Sequence, residues 1–201
     1  MKPNLFIAFV LFAMCSTGLA QSSKPITVNV PADSITFAII GDYGQNSSEE
    51  GEVAAMIKTW GVDFIITTGD NNYTWGSRKT IKKNIGKYYG DFIYNPDAPS
   101  DLQCHGKAEK EKINRFFPSP GNHDNYTRGM KPYLDYFTLP GDEKNYDFTW
   151  GPVEFFSIDT RKDADINCCD DPEPKCLQSE LAKSTSPFKF VYFHHPPLLY
   201  R

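Results

Sequence analysis

Four times along this chain a short apolar run ends and hands over at once to side chains that ligate metal ions. ITFAII (35–40) leads into GDYG, Gly41 to Gly44, and VDFIITT (62–68) leads into GDNNY, Gly69 to Tyr73. FFPSP (116–120) leads into GNHD, Gly121 to Asp124, and FKFVYF (188–193) leads into His194 and His195. Short apolar runs bounded by turn residues read as buried strands. The repeated arrangement therefore predicts strands whose C-terminal ends all carry polar groups, the edge at which open α/β sheets bind ligands.

The segments between the runs complete a layered α/β domain, α+β in the layering of its mixed β-sheets, flanked by helices. After the first run, Ser47 or Ser48 can cap a helix. Glu49 and Glu50 suit its first turn, Val53, Ile57 and Trp60 fall on one face, and Gly61 can end it. With residues 62–67 this makes a β-α-β unit, whose strands should be parallel. Residues 79–93 have an amphipathic helical pattern. Asn95 to Lys112 is polar and reads as a surface insertion holding Cys104. NYDFTW and VEFFSID flank Gly151-Pro152 as a hairpin, Asp163 to Lys175 reads as a loop, and Leu177 to Ser184 as a helix before the last strand.

A chain of 201 residues has room for one sizeable core. Met1 and Lys2, the apolar stretch Leu5 to Met14 and the small residues of Gly18-Leu19-Ala20 are the parts of a secretory signal. The stretch is short for a membrane span, so no stable membrane insertion is expected; an uncleaved anchor is the alternative. Residues 1–20 are thus expected as signal peptide, 21–34 as an N-terminal linker and 35–201 as the folded domain, in a secreted or lysosome-like setting. Without Lys2 the balance is 20 Lys+Arg against 25 Asp+Glu, a net of −5. No basic stripe in the sequence points to nucleic acid.

Cys15 leaves with the signal, and Cys104, Cys168, Cys169 and Cys176 remain. An even number in an oxidising compartment suggests disulfides. Vicinal cysteines seldom bond each other, which leaves Cys104 joined to one of Cys168 and Cys169, and Cys176 to the other, in either order. A cysteine metal site is the alternative, without C-x-x-C spacing to support it. Sequons stand at Asn46, Asn72 and Asn125. The last two lie beside the ligand motifs, where a glycan would obstruct access, so Asn46 is the expected glycosylation site.

Asp42, Asp70, Tyr73, Asn122 and His194 together offer carboxylates, a phenolate, an amide oxygen and an imidazole. That mixture suits two metal ions bridged by a carboxylate better than one structural zinc. A phenolate ligand implies a strongly Lewis-acidic trivalent ion, because tyrosine otherwise keeps its proton to about pH 10. Alone, each motif could be an ordinary turn. Four of them in the same position relative to a strand are a set.

GDYG, GDNNY, GNHD and VYFH, Val191 to His194, resemble the first four of five motifs of the purple acid phosphatases, tartrate-resistant type, within the calcineurin-like metallophosphoesterases. The resemblance extends from about Ile35 to the C-terminus, and D-x-x-Y is its specific element. It implies that Asp42 and Tyr73 bind Fe(III), that Asp70 bridges, and that Asn122 and His194 bind a divalent ion. Iron, zinc and manganese all fit the second position. His123, and His195 as a second catalytic candidate, would hydrogen-bond the phosphate ester or help protonate its leaving oxygen, His195 having a structural hydrogen bond as its alternative role. The implied activity is hydrolysis of phosphate monoesters by a metal-held hydroxide. The fifth motif, G-H-x-H, does not occur, so the fold is expected to lack its C-terminal part and each metal one ligand. A phosphodiesterase of the same fold and a non-catalytic secreted binding protein are the rival expectations. Neither the physiological substrate nor the oligomeric state is legible.

Overall fold

The structure is a computed structural model that describes residues 26–28, 34–160 and 177–196. The expected signal, the loop 163–175 and Cys168, Cys169 and Cys176 lie outside the described residues. The strand β1, Ile26–Val28, falls in the segment read as a linker. β2, Phe37–Ile40, is followed by α1, Ser48–Thr59, capped by Ser47, whose hydroxyl accepts from Glu50 N.

The helix forms where expected, but rotated. Glu50, Ala54 and Ile57 face inward, whereas Val53 is 38% and Trp60 56% exposed. The Glu50 carboxylate accepts from Gln45 N at 3.1 Å and Asn46 N at 2.8 Å in the preceding loop. That contact turns Glu50 toward the protein, and Ala54 and Ile57 follow one and two turns later.

β3, Phe64–Thr67, runs parallel to β2, completing the β-α-β unit. The next helical stretch comes in three pieces: α2, Arg78–Ile81, a π turn over Lys82–Gly86, and α3, Lys87–Tyr89. Ile81, Ile85 and Tyr89 are its buried face. The segment read as a surface insertion has α4, Lys107–Glu111, and sends Ala98, Leu102, Cys104 and Ala108 inside. Buried Asn95 satisfies it, donating to Leu102 O and Tyr136 O and accepting from Cys104 N.

Cys104 is a buried free thiol in the structure, and the partners expected for it, Cys168 or Cys169, lie outside the described residues. Its Sγ lies 3.1 Å from the Tyr136 hydroxyl. Residues 98–108 fold inward, so the thiol sits in the core, and burial pushes its pKa up.

β4, Phe116–Pro118, pairs parallel with β3. α5, Asn122–Asn125, and α6, Lys131–Tyr136, follow; neither is among the expected elements. β5, Tyr146–Trp150, and β6, Val153–Ile158, form the antiparallel hairpin around Gly151, which takes a φ of 55°. α7, Leu177–Lys183, and β7, Phe188–Phe193, close the described chain.

The strands divide between two sheets. β2-β3-β4 is wholly parallel, and β1-β5-β6-β7 is mixed, with β6 parallel to β7. Aromatic rings fill the space between them. Phe64 lies 4.8 Å from Trp150, 5.6 Å from Phe148 and 5.2 Å from Phe155, and Phe37 meets Phe155 and Phe190. Phe117 stacks on Phe148 at 3.7 Å. Side chains of this size dominate the apolar burial that joins two layers.

Candidate metal centre

The ends of β2, β3, β4 and β7 converge at one edge, although β7 belongs to the other sheet. Asp42 and Asp70 both take left-handed backbone, with φ of 53° and 52°. Asp42 N donates to Gly69 O at 3.1 Å, which joins the first two loops. Gly69 has a φ of 92°, and a Cβ there would lie 2.7 Å from the His194 ring. A Cβ on Gly121 would strike Asp70. Glycine at these two places is what lets four strand ends share one small space.

Ligand atoms of Asp42, Asp70 and His194 lie within 4.8 Å of one another. The Tyr73 hydroxyl is 3.0 Å from Asp42 Oδ1 and 3.0 Å from Asp70 Oδ2. His194 Nε2 is 3.2 Å from Asn122 Oδ1 and 3.5 Å from Asp70 Oδ2. Asp70 is buried, at 3% exposure, so its charge needs a partner.

The donors fit a cation. Thr68 O can only accept, so His194 Nδ1, 2.7 Å away, must donate to it. In the neutral tautomer that ring turns the Nε2 lone pair inward, and a backbone carbonyl fixes its orientation as in metal-bound imidazoles. Asn122 Nδ2 donates to the Tyr126 hydroxyl at 3.1 Å, which leaves Oδ1 facing that Nε2. In that tautomer Nε2, Asn122 Oδ1 and a carboxylate oxygen of Asp70 face one another as acceptors that a cation would join. At the other end one phenolic hydrogen serves two carboxylates. Burial first, then the hydrogen bonds and charges of Asp42 and Asp70, push the Tyr73 pKa well above its usual 10.

Residues 35–201 match the profile of the calcineurin-like phosphoesterases. The chain belongs to that family. No curated protein matches the sequence. Phosphoester hydrolysis with metal ions is the chemistry of the family, and Asp42, Asp70 and His194 form a possible metal site in this member. All five ligand candidates from the sequence, Asp42, Asp70, Tyr73, Asn122 and His194, are brought together.

His123 and His195 are placed differently. His123 N donates to Asp70 Oδ1 at 2.8 Å, and His123 Nε2 is 3.8 Å from Asp70 Oδ2. Its Nδ1 donates to Thr74 O at 2.7 Å, and its ring lies between Tyr73 and Tyr126. His195 packs its ring against His194. Its N donates to Thr160 Oγ1, and its Nδ1 is 3.2 Å from the same oxygen.

Three polar residues of this phosphoesterase hold the loops. Asp124 accepts from Gly121 N, from Asn71 N and from Asn71 Nδ2, tying GDNNY to GNHD. Asn71 also donates to Ser119 O and accepts from Thr67 Oγ1. Burial, partly opposed by those hydrogen bonds, pushes Asp124 up to about 6. Asn84, on the π turn, donates to Gly44 O at 2.8 Å, Asn72 Oδ1 at 3.0 Å and Tyr73 O at 2.9 Å. Asn71 and Asp124 stand inside motifs quoted for their neighbours. The only signal for Asn84 is an amide amid the apolar positions Ile81 and Ile85.

Asn72 is 1% exposed, and its Nδ2 donates to Ser77 O. The nitrogen a glycan would need is therefore inside. Asn46 is exposed, and its Oδ1 accepts from Lys87 Nζ and the Tyr88 hydroxyl. Among the described residues no helix is long and apolar enough to cross a membrane.

Proposed function

We propose that this calcineurin-like phosphoesterase is a secreted acid phosphatase of the purple type, hydrolysing phosphate monoesters with Fe(III) and a divalent ion. The Tyr73 hydroxyl carries the proposal. It lies between two carboxylates at 3.0 Å each, and only a strongly Lewis-acidic cation would turn so unfavourably placed a phenol into a ligand. Asp42 and Tyr73 would hold the ferric ion, Asp70 would lie between the two ions, and Asn122 and His194 would hold the divalent one, whether iron, zinc or manganese. Bound there, the ions supply Lewis acidity toward water and phosphoryl oxygens.

His123 acts on the ester. With Nδ1–H committed to Thr74 O, Nε2 carries a proton only in the imidazolium. That proton is the one His123 can give to a phosphoryl oxygen or to the departing alkoxide, which suits acid conditions. His195 is proposed to assist through its place beside His194, with Thr160 holding its ring. The N-terminal features, Lys2, the apolar stretch to Met14 and Gly18-Leu19-Ala20, support secretion.

The test is colour together with turnover. Purified chain supplied with Fe(III) and a divalent ion should absorb visible light through tyrosinate-to-iron charge transfer, and Tyr73→Phe should abolish the band. Turnover of an aryl phosphate monoester should exceed that of the matching diester at acid pH. A colourless, iron-free, active protein would overturn the ferric assignment, and preference for the diester would overturn the substrate class.

A further inference from the structure

On the opposite face of the α2–α3 stretch from Asn84 lies a second concavity, unrelated to the metal ligands. Its volume is about 610 Å³, and Lys58, Lys79, Lys82, Lys83, Lys87 and His105 line it, with Asp91 as the acid among its lining residues. Five of the chain's 21 Lys+Arg therefore face one cavity in a protein of net charge −4. The spacing explains the gathering. Positions 79, 82, 83, 86, 87 and 90 fall on one helical face, and the last turns offer Gly86 and Gly90 to the cavity in place of side chains.

The glycines also set its floor. A Cβ on Gly90 would lie 2.5 Å from Gly86 O, and one on Gly106 would lie 2.5 Å from Gly90 O. The loop at residues 104–106 is thereby packed directly on the helical backbone, with Cys104 and Gly106 in the lining.

Some of the lysines are engaged within the protein. Lys58 pairs with Asp91 at 3.0 Å, Lys82 donates to Asp101 O, and Lys87 donates to Asn46 Oδ1 and Tyr88. Asp101, the nearby acid, is engaged by Arg78 through two 2.8 Å contacts. Among the described residues the ammonium groups of Lys79 and Lys83 make no ion pair or side-chain hydrogen bond. The like charges around this cavity are thus poorly compensated by the protein itself, and an anion would offset them.

We propose that this cavity is an accessory binding site for a small, multiply charged phosphate-bearing anion, a linear polyphosphate or a compound carrying several phosphates. The volume is that of a small-molecule site. The helical lysines span only a little over two turns, roughly 12 Å, and the surrounding chain is net acidic, so a short anion is matched better than a long polyanion. Asn84 links this helix to Gly44 O and Tyr73 O, so the site shares a rigid element with the metal centre.

Inorganic tripolyphosphate is the probe. Calorimetry on the full chain in chelator, which keeps the metal centre out of the measurement, should show one binding event that weakens as salt rises. Lys79→Ser with Lys83→Ser should weaken it about tenfold and leave metal binding unchanged. Lys79→Arg with Lys83→Arg should retain binding, and Lys131→Ser with Lys183→Ser, outside the cavity, should not alter it. Absence of a binding heat, indifference to the serine pair at positions 79 and 83, or equal weakening by the distant pair would overturn the proposal and leave an ordinary solvated lysine face.

Discussion

Tyr73 has one hydroxyl hydrogen and two carboxylates at equal distance, and His194 Nε2 lies 3.2 Å from Asn122 Oδ1. These side chains gather more acceptors than hydrogens, and a cation among them would take up the excess. Asp70→Asn is expected to cost metal affinity at least as much as loss of an outer-sphere partner, about 10- to 100-fold, read by titration with zinc followed by dialysis and metal analysis. His123 should separate from the ligands in such an assay. His123→Asn keeps a side chain that can hydrogen-bond but cannot shuttle a proton, so kcat should fall about 100-fold or more while metal content stays at the wild-type level. A His123→Asn protein with full turnover would remove this residue from the chemistry.

At the scale of elements, helices position the loops from outside. α1 does so through Glu50, whose Oε2 accepts two backbone N–H groups while Oε1 is buried without a partner. Burial raises its pKa from an ordinary 4.5 to about 7, against the lowering effect of those hydrogen bonds. A raised carboxyl pKa favours the protonated folded state. Its contribution is complete below pH 4.5 and is lost as pH rises through 7. Urea titrations in chelator should therefore show wild type losing about 1–3 kcal/mol relative to Glu50→Gln between pH 4.5 and 7.5; a pH-independent difference would mean that Glu50 is not so shifted. The π turn acts through Asn84, whose amide serves three acceptors. Asn84→Ala leaves Gly44 O and Tyr73 O buried with fewer donors. It should cost about 1–3 kcal/mol in the same titration, and in the proposed ferric form the Tyr73-dependent colour should weaken as well, because the backbone that aims the phenol loses its anchor.

For the whole molecule, the interleaved rings of Phe37, Phe64, Phe117, Phe148, Trp150 and Phe155 join two sheets whose edges must stay aligned for the centre to exist. Phe64→Ala should cost about 3–5 kcal/mol, seen as a lowered Tm with metal affinity reduced in step, since β7 brings His194 from the second sheet. The strands β2 to β7 and the helices α1, α2–α3 and α7, but not β1, α4, α5 and α6, were legible, because each of their runs is short, bounded by turn residues and periodic enough to name. So were the five ligand types and their place after a strand, because local backbone geometry puts the residue after a strand at its end. Less local features were not. The rotation of α1 depended on Glu50 reaching the loop before it, and the inward fold of residues 98–108 depended on the contact of Asn95 with Tyr136, 41 residues further along the chain. Asn84 and the lysine cavity arise from which face a helix turns to its neighbours. The sequence alone determined which donors exist and that each ends a strand, since that is a matter of a few adjacent residues. Only the tertiary structure decided that two separate sheets present those ends at one point, because that alignment is set by packing between layers, which no local run encodes.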